Sequence, residues 1–305
     1  MTTPAETTST PLGHLRLGVD LGGTKIAAAV LGEYGRIVEE RRTPNPGDYT
    51  ATLMAVRDLC DGLVDRKVDL GMGIPGSISP TTGLVRNCNS TFINGKDLAK
   101  DLAEATGRRV RLANDANCFA LSEAFDGAAA SSPSVFGVII GTGVGGGLVV
   151  GAELVHGAGG VAGEWGHIPL PWAAADEHHP AACWCGLHDC MELWAAGPAL
   201  ERDYGMEGVR SPQIVARARE GEPAAAAALT RYISRLARGL AVIVNVLDPH
   251  TIVLGGGMSN VDELYQALPE AMKPYLFTDL PAGKIVKNKH GDASGVRGAA
   301  WLWPR

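Results

Sequence analysis

The chain has 305 residues, of which 46% are hydrophobic and 20% are charged, and its formal net charge is −6. This composition excludes a largely disordered chain and predicts about two domains of ordinary size. The negative charge argues against nucleic-acid partners, and the lack of an apolar run of about 18 residues argues against a membrane span. Residues 1–13 have neither the basic start nor the apolar centre of a signal peptide, so we expect a disordered tail on a cytoplasmic protein.

The first part of the chain predicts strands and helices in alternation. An apolar, β-branched run at 15–19 leads to Asp20, a glycine turn follows, and residues 26–31 return as a second strand. The elements predicted after this hairpin are a helix at 50–64, a strand at 70–74 ended by Pro75-Gly76, a strand at 109–113 and a helix at 116–125.

The same strand, glycine turn and strand recur about 120 residues later. Residues 135–140 form a predicted strand, 141–147 a glycine-rich turn and 148–150 a return strand. The recurrence indicates two related domains, although two unrelated glycine hairpins would give the same pattern. The predicted elements that follow are helices at 211–221 and 223–247, a strand at 251–254, a helix at 261–272 and a closing apolar segment at 298–303. The alternation predicts an α/β fold.

The glycine turns are candidate phosphate-binding sites. Gly141, Gly143 and Gly146 match the dinucleotide pattern G-x-G-x-x-G, but a strand follows them where that pattern requires a helix. Turns without side chains let backbone N–H groups approach phosphate oxygens, although ordinary tight hairpins have the same composition. The candidate nucleotide contacts are Gly22, Gly23, Thr24, Lys25, Gly141, Thr142, Gly143 and a third turn, Gly255, Gly256 and Gly257, which could pack under adenosine. Asp20, where the first strand ends, is a candidate water-mediated Mg²⁺ contact.

Asp115 lies where a predicted strand gives way to a predicted helix. A carboxylate at this point is stabilised in its ionised form by the helix N-terminus and can accept the proton of an attacking hydroxyl. It can equally be a simple helix cap. The residue types alone leave both roles open.

Three of the six cysteines are clustered near the middle of the chain. Cys183, Cys185 and Cys190, together with His167, have the spacing H-x15-C-x-C-x4-C. Four such ligands suit a closed, structural Zn²⁺ site. A disulfide is the alternative, disfavoured by a reducing cytoplasm and by the odd number of local thiols, and His188 is an alternative fourth ligand. The other three cysteines read as buried thiols: Cys60, Cys88 and Cys118.

Several motifs resemble those of one known family. The segments 20–25 (DLGGTK) and 141–143 (GTG) look like the two phosphate hairpins of the actin-like, hexokinase-type ATPases. The segments 73–76 (GIPG), 114–117 (NDAN) and 163–167 (GEWGH), with the cysteine cluster, resemble the ROK family of sugar kinases and repressors. This resemblance extends over nearly the whole chain, from Arg16 to Trp303.

The resemblance implies two RNase H-like domains with an interdomain cleft. It places a smaller domain at 14–126 plus 290–305 and a larger one, with a zinc-binding insertion, at 127–289. It implies ATP, Mg²⁺ and a structural Zn²⁺ as cofactors, and a homodimer. It also favours His167 as the fourth zinc ligand, because this histidine follows Gly-Glu-Trp-Gly.

The resemblance also assigns roles to residues. The Asp of Asn-Asp-Ala is the family's catalytic base, which corresponds to Asp115 here. The positions that match family contacts to a hexose are Gly76, Asn94, Asn114, Asp115, Glu164, His167 and Glu192. Polar groups that donate and accept suit a sugar because each hydroxyl buried without a partner costs about 1–3 kcal/mol.

The sugar is predicted from resemblance alone. The stretches 71–80, 162–172 and 289–304 look most like bacterial ROK fructokinases, which also accept mannose, and so predict fructose as substrate. The stretch 114–124 is shared with N-acetylglucosamine kinases, and glucokinases share the core motifs. A sugar-responsive ROK regulator is the alternative of another class, disfavoured because only about thirteen residues precede the first predicted strand. One departure, Cys-Met-Glu-Leu-Trp at 190–194, keeps Glu192 but changes its neighbours.

Overall fold

The computed structural model describes residues 15–88, 90–177, 182–280 and 283–303. The predicted tail at 1–13 lies outside these residues. The chain divides into two compact units, the first made of Met1–Cys118 with Ala293–Arg305 and the second of Phe119–Asp292. The first unit therefore gives way to the second inside the helix Asp115–Phe125, between residues 118 and 119. The family resemblance implies a slightly later boundary, at 126, which stays a prediction.

Strands and helices alternate along the described chain, and the predicted α/β class is confirmed. The strands are β1 (Arg16–Leu21), β2 (Lys25–Leu31), β3 (Ile37–Pro44), β4 (Leu70–Ile74), β5 (Ser77–Ile78), β6 (Val85–Arg86), β7 (Val110–Asn114), β8 (Ser134–Ile140), β9 (Val144–Val150), β10 (Glu153–Leu154), β11 (Thr251–Gly255) and β12 (Lys284–Lys287). The helices are α1 (Tyr49–Leu63), α2 (Leu98–Thr106), α3 (Asp115–Phe125), α4 (Glu192–Ala195), α5 (Gly197–Tyr204), α6 (Ser211–Arg219), α7 (Pro223–Leu247), α8 (Glu263–Met272) and α9 (Ser294–Ala300).

The first unit is built on a sheet of strand order β3-β2-β1-β4-β7. β1 pairs antiparallel with β2 and parallel with β4, and β4 pairs parallel with β7. α9 packs directly on this sheet. A Cβ added to Gly18 would lie 2.0 Å from the Val296 carbonyl oxygen, and one added to Gly71 would lie 1.8 Å from that of Ala299. These two strand positions therefore require glycine, because only a bare backbone lets the helix approach so closely.

The second unit repeats this arrangement with the order β10-β9-β8-β11-β12. β8 pairs antiparallel with β9 and parallel with β11, and β11 pairs parallel with β12. The long helix α7 contributes one buried face to the core of this unit, including Tyr232, Leu236 and Leu240. Two sheets of the same topology are what the repeated hairpin in the sequence predicted.

Three details of the sequence prediction are corrected. The turn expected at 141–147 is shorter, because β9 begins at Val144 and its glycines lie inside the strand, where the Trp165 indole crosses Gly146 closely. A 3-10 turn at Gly257–Asn260 precedes α8, which begins at Glu263 rather than 261. The closing segment belongs to a helix that starts earlier, at Ser294. In the residues that the structure describes, no helix has the length and apolar character needed to cross a membrane.

Candidate active site

Asp115 is the first residue of α3 and is exposed. The Ala116 N–H donates to Asp115 Oδ1 at 2.8 Å and to Asn114 Oδ1 at 2.9 Å. The predicted capping role is therefore real. It does not compete with a role as base, because a carboxylate has a second oxygen and several acceptor sites.

The loop after β4 lies beside this helix start, since β4 and β7 are parallel neighbours whose last residues, Ile74 and Asn114, are paired. Asn114 Nδ2 donates to the Gly76 carbonyl oxygen at 3.2 Å. A Cβ on Gly76 would lie 2.9 Å from Cys88 Cβ, so this turn requires glycine to sit against the following loop. The parallel pairing thus brings two of the predicted sugar contacts to one sheet edge.

Asn94 holds the loop that Gly76 packs against. Its Oδ1 accepts from the Cys88 N–H at 3.0 Å, and its Nδ2 donates to the Cys88 carbonyl oxygen at 3.0 Å. An amide has four hydrogen-bonding sites, so two remain for a ligand. The side chain is exposed. Its position is compatible with the predicted sugar contact, and it also has a structural role.

The first glycine hairpin joins β1 to β2. Its tip is closed by the Gly22 N–H, which donates to the Lys25 carbonyl oxygen at 2.9 Å, and the Asn45 side chain donates to the Gly22 carbonyl oxygen at 2.8 Å. Among the described residues other than its two chain neighbours, none has a heavy atom within 4 Å of where a Cβ on Gly23 would be. The outer side of this tip is therefore open to a ligand.

Asp20 lies at the base of the same hairpin. Desolvation raises the pKa of its carboxyl, and the Lys25 ammonium opposes this. Gly295 makes room for the carboxylate, since a Cβ there would lie 3.0 Å from Asp20 Oδ2, whereas a Cβ on Gly73 would be in ordinary contact with Asp20 Oδ1 at 3.5 Å. A carboxylate that is desolvated and placed beside a glycine tip suits a bound cation, which would offset its cost of burial.

The second glycine hairpin joins β8 to β9 and is held by two later segments. The Gly197 N–H donates to the Gly141 carbonyl oxygen at 2.8 Å, and the Val144 N–H donates to Glu192 Oε2 at 3.1 Å. A Cβ on Gly143 would lie 2.6 Å from Glu192 Oε2. Gly143 is therefore required for the carboxylate to reach the hairpin, and Glu192 is brought beside a predicted phosphate turn.

A cavity of about 560 Å³ opens next to this hairpin, within the range of small-molecule sites. Gly141, Thr142 and Gly257 line it, as predicted for a nucleotide site. Gly255 and Gly256 are not among the residues that line it, and a Cβ there would lie 2.5 Å from the Phe119 ring and 2.6 Å from the Ile140 carbonyl oxygen, respectively. Their predicted contact with the nucleotide stays a prediction. The rest of the wall was missed from the sequence: most of it lies in or beside α5 and α6, which have no glycine motif, and Met258 directly follows the third glycine turn. These lining residues include Pro198, Glu201, Arg210, Ser211, Val215 and Met258.

The four predicted metal ligands lie together. His167, Cys183, Cys185 and Cys190 place their donor atoms within 4.8 Å of one another, and His188 is not in this group. Cys183 Sγ is 3.7 Å from His167 Nδ1, and Cys185 Sγ is 3.7 Å from Cys190 Sγ. A tetrahedral Zn²⁺ site with ordinary bond lengths has edges of about 3.6 Å for N–S and about 3.8 Å for S–S. All six cysteines are free thiols, so no disulfide occupies this cluster.

Two carboxylates flank this cluster. Desolvation and the Glu192 carboxylate raise the pKa of Glu164, while His167 lowers it. The Trp184 indole N–H donates to Glu192 Oε1 at 2.9 Å, and its ring meets that of His167 edge to face, with centroids 5.2 Å apart. The structure therefore brings the predicted sugar contacts Glu164, His167 and Glu192 together within the second unit. It adds Trp184, which was not predicted. In the sequence this residue is marked only by its position between two cysteines of the cluster.

Comparison with known proteins gives consistent matches over almost the whole chain. The model of the ROK family matches residues 16–305. An N-acetyl-D-glucosamine kinase from Yersinia enterocolitica is 38% identical over 296 residues, which cover 93% of this chain and 98% of the relative. A ROK hexokinase structure from Thermus thermophilus has a TM-score of 0.81 at 33% identity, covering 94% of this chain and 97% of that one. A ROK glucokinase structure from Streptomyces griseus, in complex with glucose and AMPPNP, has a TM-score of 0.76 at 28% identity, covering 94% and 98%.

Proposed function

Since this chain belongs to the ROK family, we propose that it transfers the γ-phosphoryl group of ATP to a hydroxyl of a hexose. The resemblance drawn from the sequence motifs is confirmed, and with it the actin-like ATPase fold. The observation that carries the proposal is the placement of side chains within each unit. Asp20 lies near the end of β1 and Asp115 follows β7, two strands of the first sheet that are separated by β4. The second unit has a nucleotide-sized cavity beside the hairpin that Glu192 contacts.

The nucleotide occupies the cavity of the second unit in this proposal. Gly141 and Thr142 present backbone and hydroxyl donors to phosphate oxygens, and Met258, Val215 and Pro198 provide an apolar wall for the base. Gly23, Thr24 and Lys25, all exposed at the first hairpin, supply further donors and one positive charge. Mg²⁺, when bound, neutralises phosphate charge, and Asp20 is the carboxylate placed to orient its waters.

Asp115 acts as the base. The sugar hydroxyl loses its proton to the Asp115 carboxylate as its oxygen bonds to the γ-phosphorus. The bond from that phosphorus to the β–γ bridging oxygen breaks, and ADP leaves. Phosphoryl transfer depends mainly on positioning and on charge neutralisation, and a positioned base adds to these. The Ala116 N–H bond to Oδ1 keeps the carboxylate in place at the helix start.

The residues of the metal cluster fit a structural Zn²⁺. The donor set and the edge lengths suit a closed tetrahedral site with no position for water. When bound, Zn²⁺ supplies fixed geometry and no chemistry. His167 engages the cluster through Nδ1, which leaves Nε2 as the nitrogen that would contact a sugar hydroxyl.

Fructose, with mannose, is the first proposed substrate, supported by the three sequence stretches that resemble fructokinases. N-acetylglucosamine is the second, supported by the curated relatives at 38% identity. Relatives at 28–38% identity carry the names of different sugars, so identity at this level favours the chemistry without choosing among hexoses.

The test is a coupled ADP-release assay with fructose, mannose, glucose and N-acetylglucosamine, each varied at saturating Mg·ATP. We expect the highest kcat/KM for fructose. A higher kcat/KM for N-acetylglucosamine would assign the second substrate instead. No ADP release with any hexose, together with sugar-dependent binding to DNA, would replace the kinase by a regulator. The homodimer and the cytoplasmic location stay predictions.

A further inference from the structure

Trp184 is an unusual residue for its position. It lies between two of the clustered cysteines, and 59% of its surface is exposed. An exposed aromatic ring gains free energy when a ligand covers it, and it can serve as a binding surface where polar groups for the same ligand lie beside it. Neither the family motifs nor the predicted roles of its neighbours account for it.

Two contacts fix the orientation of the Trp184 ring. The indole N–H donates to Glu192 Oε1 at 2.9 Å, and the ring meets that of His167 at 83° with centroids 5.2 Å apart. The other oxygen of Glu192 accepts from the Val144 N–H, so this carboxylate is itself anchored to the second hairpin. The ring is therefore held next to two residues assigned to the sugar while much of it remains uncovered.

A hexose presents both hydroxyls and apolar patches of C–H groups. Glu192 and His167 have the polar groups for the hydroxyls, and among the described neighbours of this pair the exposed aromatic surface is that of Trp184. We propose that Trp184 is a specificity residue of the sugar site, with its ring covering a C–H face of the bound hexose. This inference rests on the proposed function.

A purely structural role predicts different results. If Trp184 served only to orient Glu192, the indole N–H would be its important group, and Trp184→Phe would be as harmful as Trp184→Ala. If it served only the metal cluster, its removal would release zinc. If its ring covers the sugar, Trp184→Phe keeps most of the interaction and Trp184→Ala loses it.

The experiment measures KM for sugar and for ATP, kcat and zinc content for wild type, Trp184→Ala and Trp184→Phe. The sugar is the best substrate of the wild-type assay, and sugar affinity is also measured without ATP by calorimetry. We expect Trp184→Ala to raise the sugar KM and Kd about tenfold, the effect of exposing one ring face. We expect unchanged zinc and ATP KM, and recovery of most sugar affinity in Trp184→Phe.

The matched control is Trp172→Ala. Trp172 is similarly exposed, at 52%, but its ring packs on Tyr275 and not on the predicted sugar contacts. The sugar KM of Trp172→Ala should therefore stay at the wild-type value. A sugar Kd within twofold of wild type in Trp184→Ala would overturn the inference. So would zinc loss in that variant, or a Trp184→Phe variant as weak as Trp184→Ala. A wild-type protein that phosphorylates no hexose would instead overturn the proposed function.

Discussion

The two glycine hairpins have the same strand topology but hold their tips in different ways. The first tip, at Gly22 and Gly23, is bound by Asn45 and is otherwise open, with charged Asp20 and Lys25 at its base. The second tip is bound by Gly197 and lies against the Glu192 carboxylate. The first hairpin therefore has an open tip beside two ionisable groups, whereas the second lies between a cavity and the predicted sugar contact Glu192.

The same difference extends to the two units. In the first, carboxylates lie at the ends of sheet strands, since Asp20 is the penultimate residue of β1 and Asp115 directly follows β7. In the second, the functional side chains come from the segment between β10 and α5, which the cysteine cluster and a buried ion network hold in place. A duplicated framework thus acquires different chemistry where loops are added. Substitutions that affect one unit only can test this division.

The largest effect is expected from the base of the first unit. Asp115→Asn keeps an oxygen to cap α3 but removes the basic carboxylate, so kcat should fall about a thousandfold with little change in sugar KM. Steady-state kinetics measures this. Asp48→Asn is the control, because Asp48 caps the start of α1 by accepting from the Ala51 N–H and has no assigned role in the reaction. Near-normal turnover of Asp115→Asn would contradict the assignment.

The next effect is on stability and concerns the ion network of the second unit. Glu177 Oε2 accepts from Arg238 at 2.7 Å and from the Ala174 N–H at 2.9 Å, while Oε1 accepts from Arg235 at 2.9 Å. Glu177→Gln removes the carboxylate that pairs with the buried Arg238 guanidinium, while Arg235 keeps its pair with Asp203, and should lower the free energy of unfolding by about 3 kcal/mol. Urea denaturation measures it. Glu263→Gln, in a surface pair with Arg219, should cost less than about 1 kcal/mol.

The same network predicts a pH dependence. Desolvation alone would raise the pKa of Glu177, but hydrogen bonds from Arg238, the Ala174 N–H and Arg235 lower it to about 2. A carboxyl with a lowered pKa stabilises the fold fully above its unfolded pKa, near about 4.3, and this contribution disappears as the pH falls toward 2. The acid destabilisation between about pH 4.5 and 2 should therefore be shallower in Glu177→Gln than in wild type. Equal slopes of the free energy of unfolding against pH in the two proteins would contradict this prediction.

Removal of a metal ligand tests whether the loop of the second unit needs its cluster. Cys185→Ala, or chelation of the wild-type protein, should lower activity up to about a hundredfold through the position of His167, with less change in ATP KM. Zinc content and steady-state kinetics, measured on the same samples, show whether activity falls with the loss of zinc. Full activity in protein shown to contain no zinc would refute the role of the metal.

The smallest effects separate the two hairpin tips directly. Gly143→Ala places a Cβ against Glu192 and should raise the sugar KM about tenfold, because that carboxylate must move. Gly23→Ala meets no protein atom within 4 Å and should leave the sugar KM and thermal stability unchanged, with a higher KM for ATP alone. Equal effects of both variants on the sugar KM would mean that the tips do not differ in role.

The residues by themselves determined the local elements and the candidate groups. The hydrophobic periodicity, the turn glycines and the change from strand to helix at Asp115 all depend on residues that are close in sequence. The strands and the helix predicted from them agree with β1, β2, β4 and α3. The cysteine spacing likewise pointed to one cluster, in which the family resemblance favoured His167 over His188, and His167 lies together with the three cysteines. Short-range chemistry of this kind is visible without a fold.

Only the tertiary structure decided how distant segments meet. It placed the Glu192 carboxylate against the Val144 N–H, which lies 48 residues earlier at the second hairpin. It also packed Gly255 and Gly256 against neighbouring groups, while Gly257 lines the cavity. It also placed Trp184, which no sequence motif singled out, next to two of the predicted sugar contacts. Such contacts depend on the packing of whole helices against a sheet, and no local pattern encodes which side chains that packing brings within hydrogen-bonding distance.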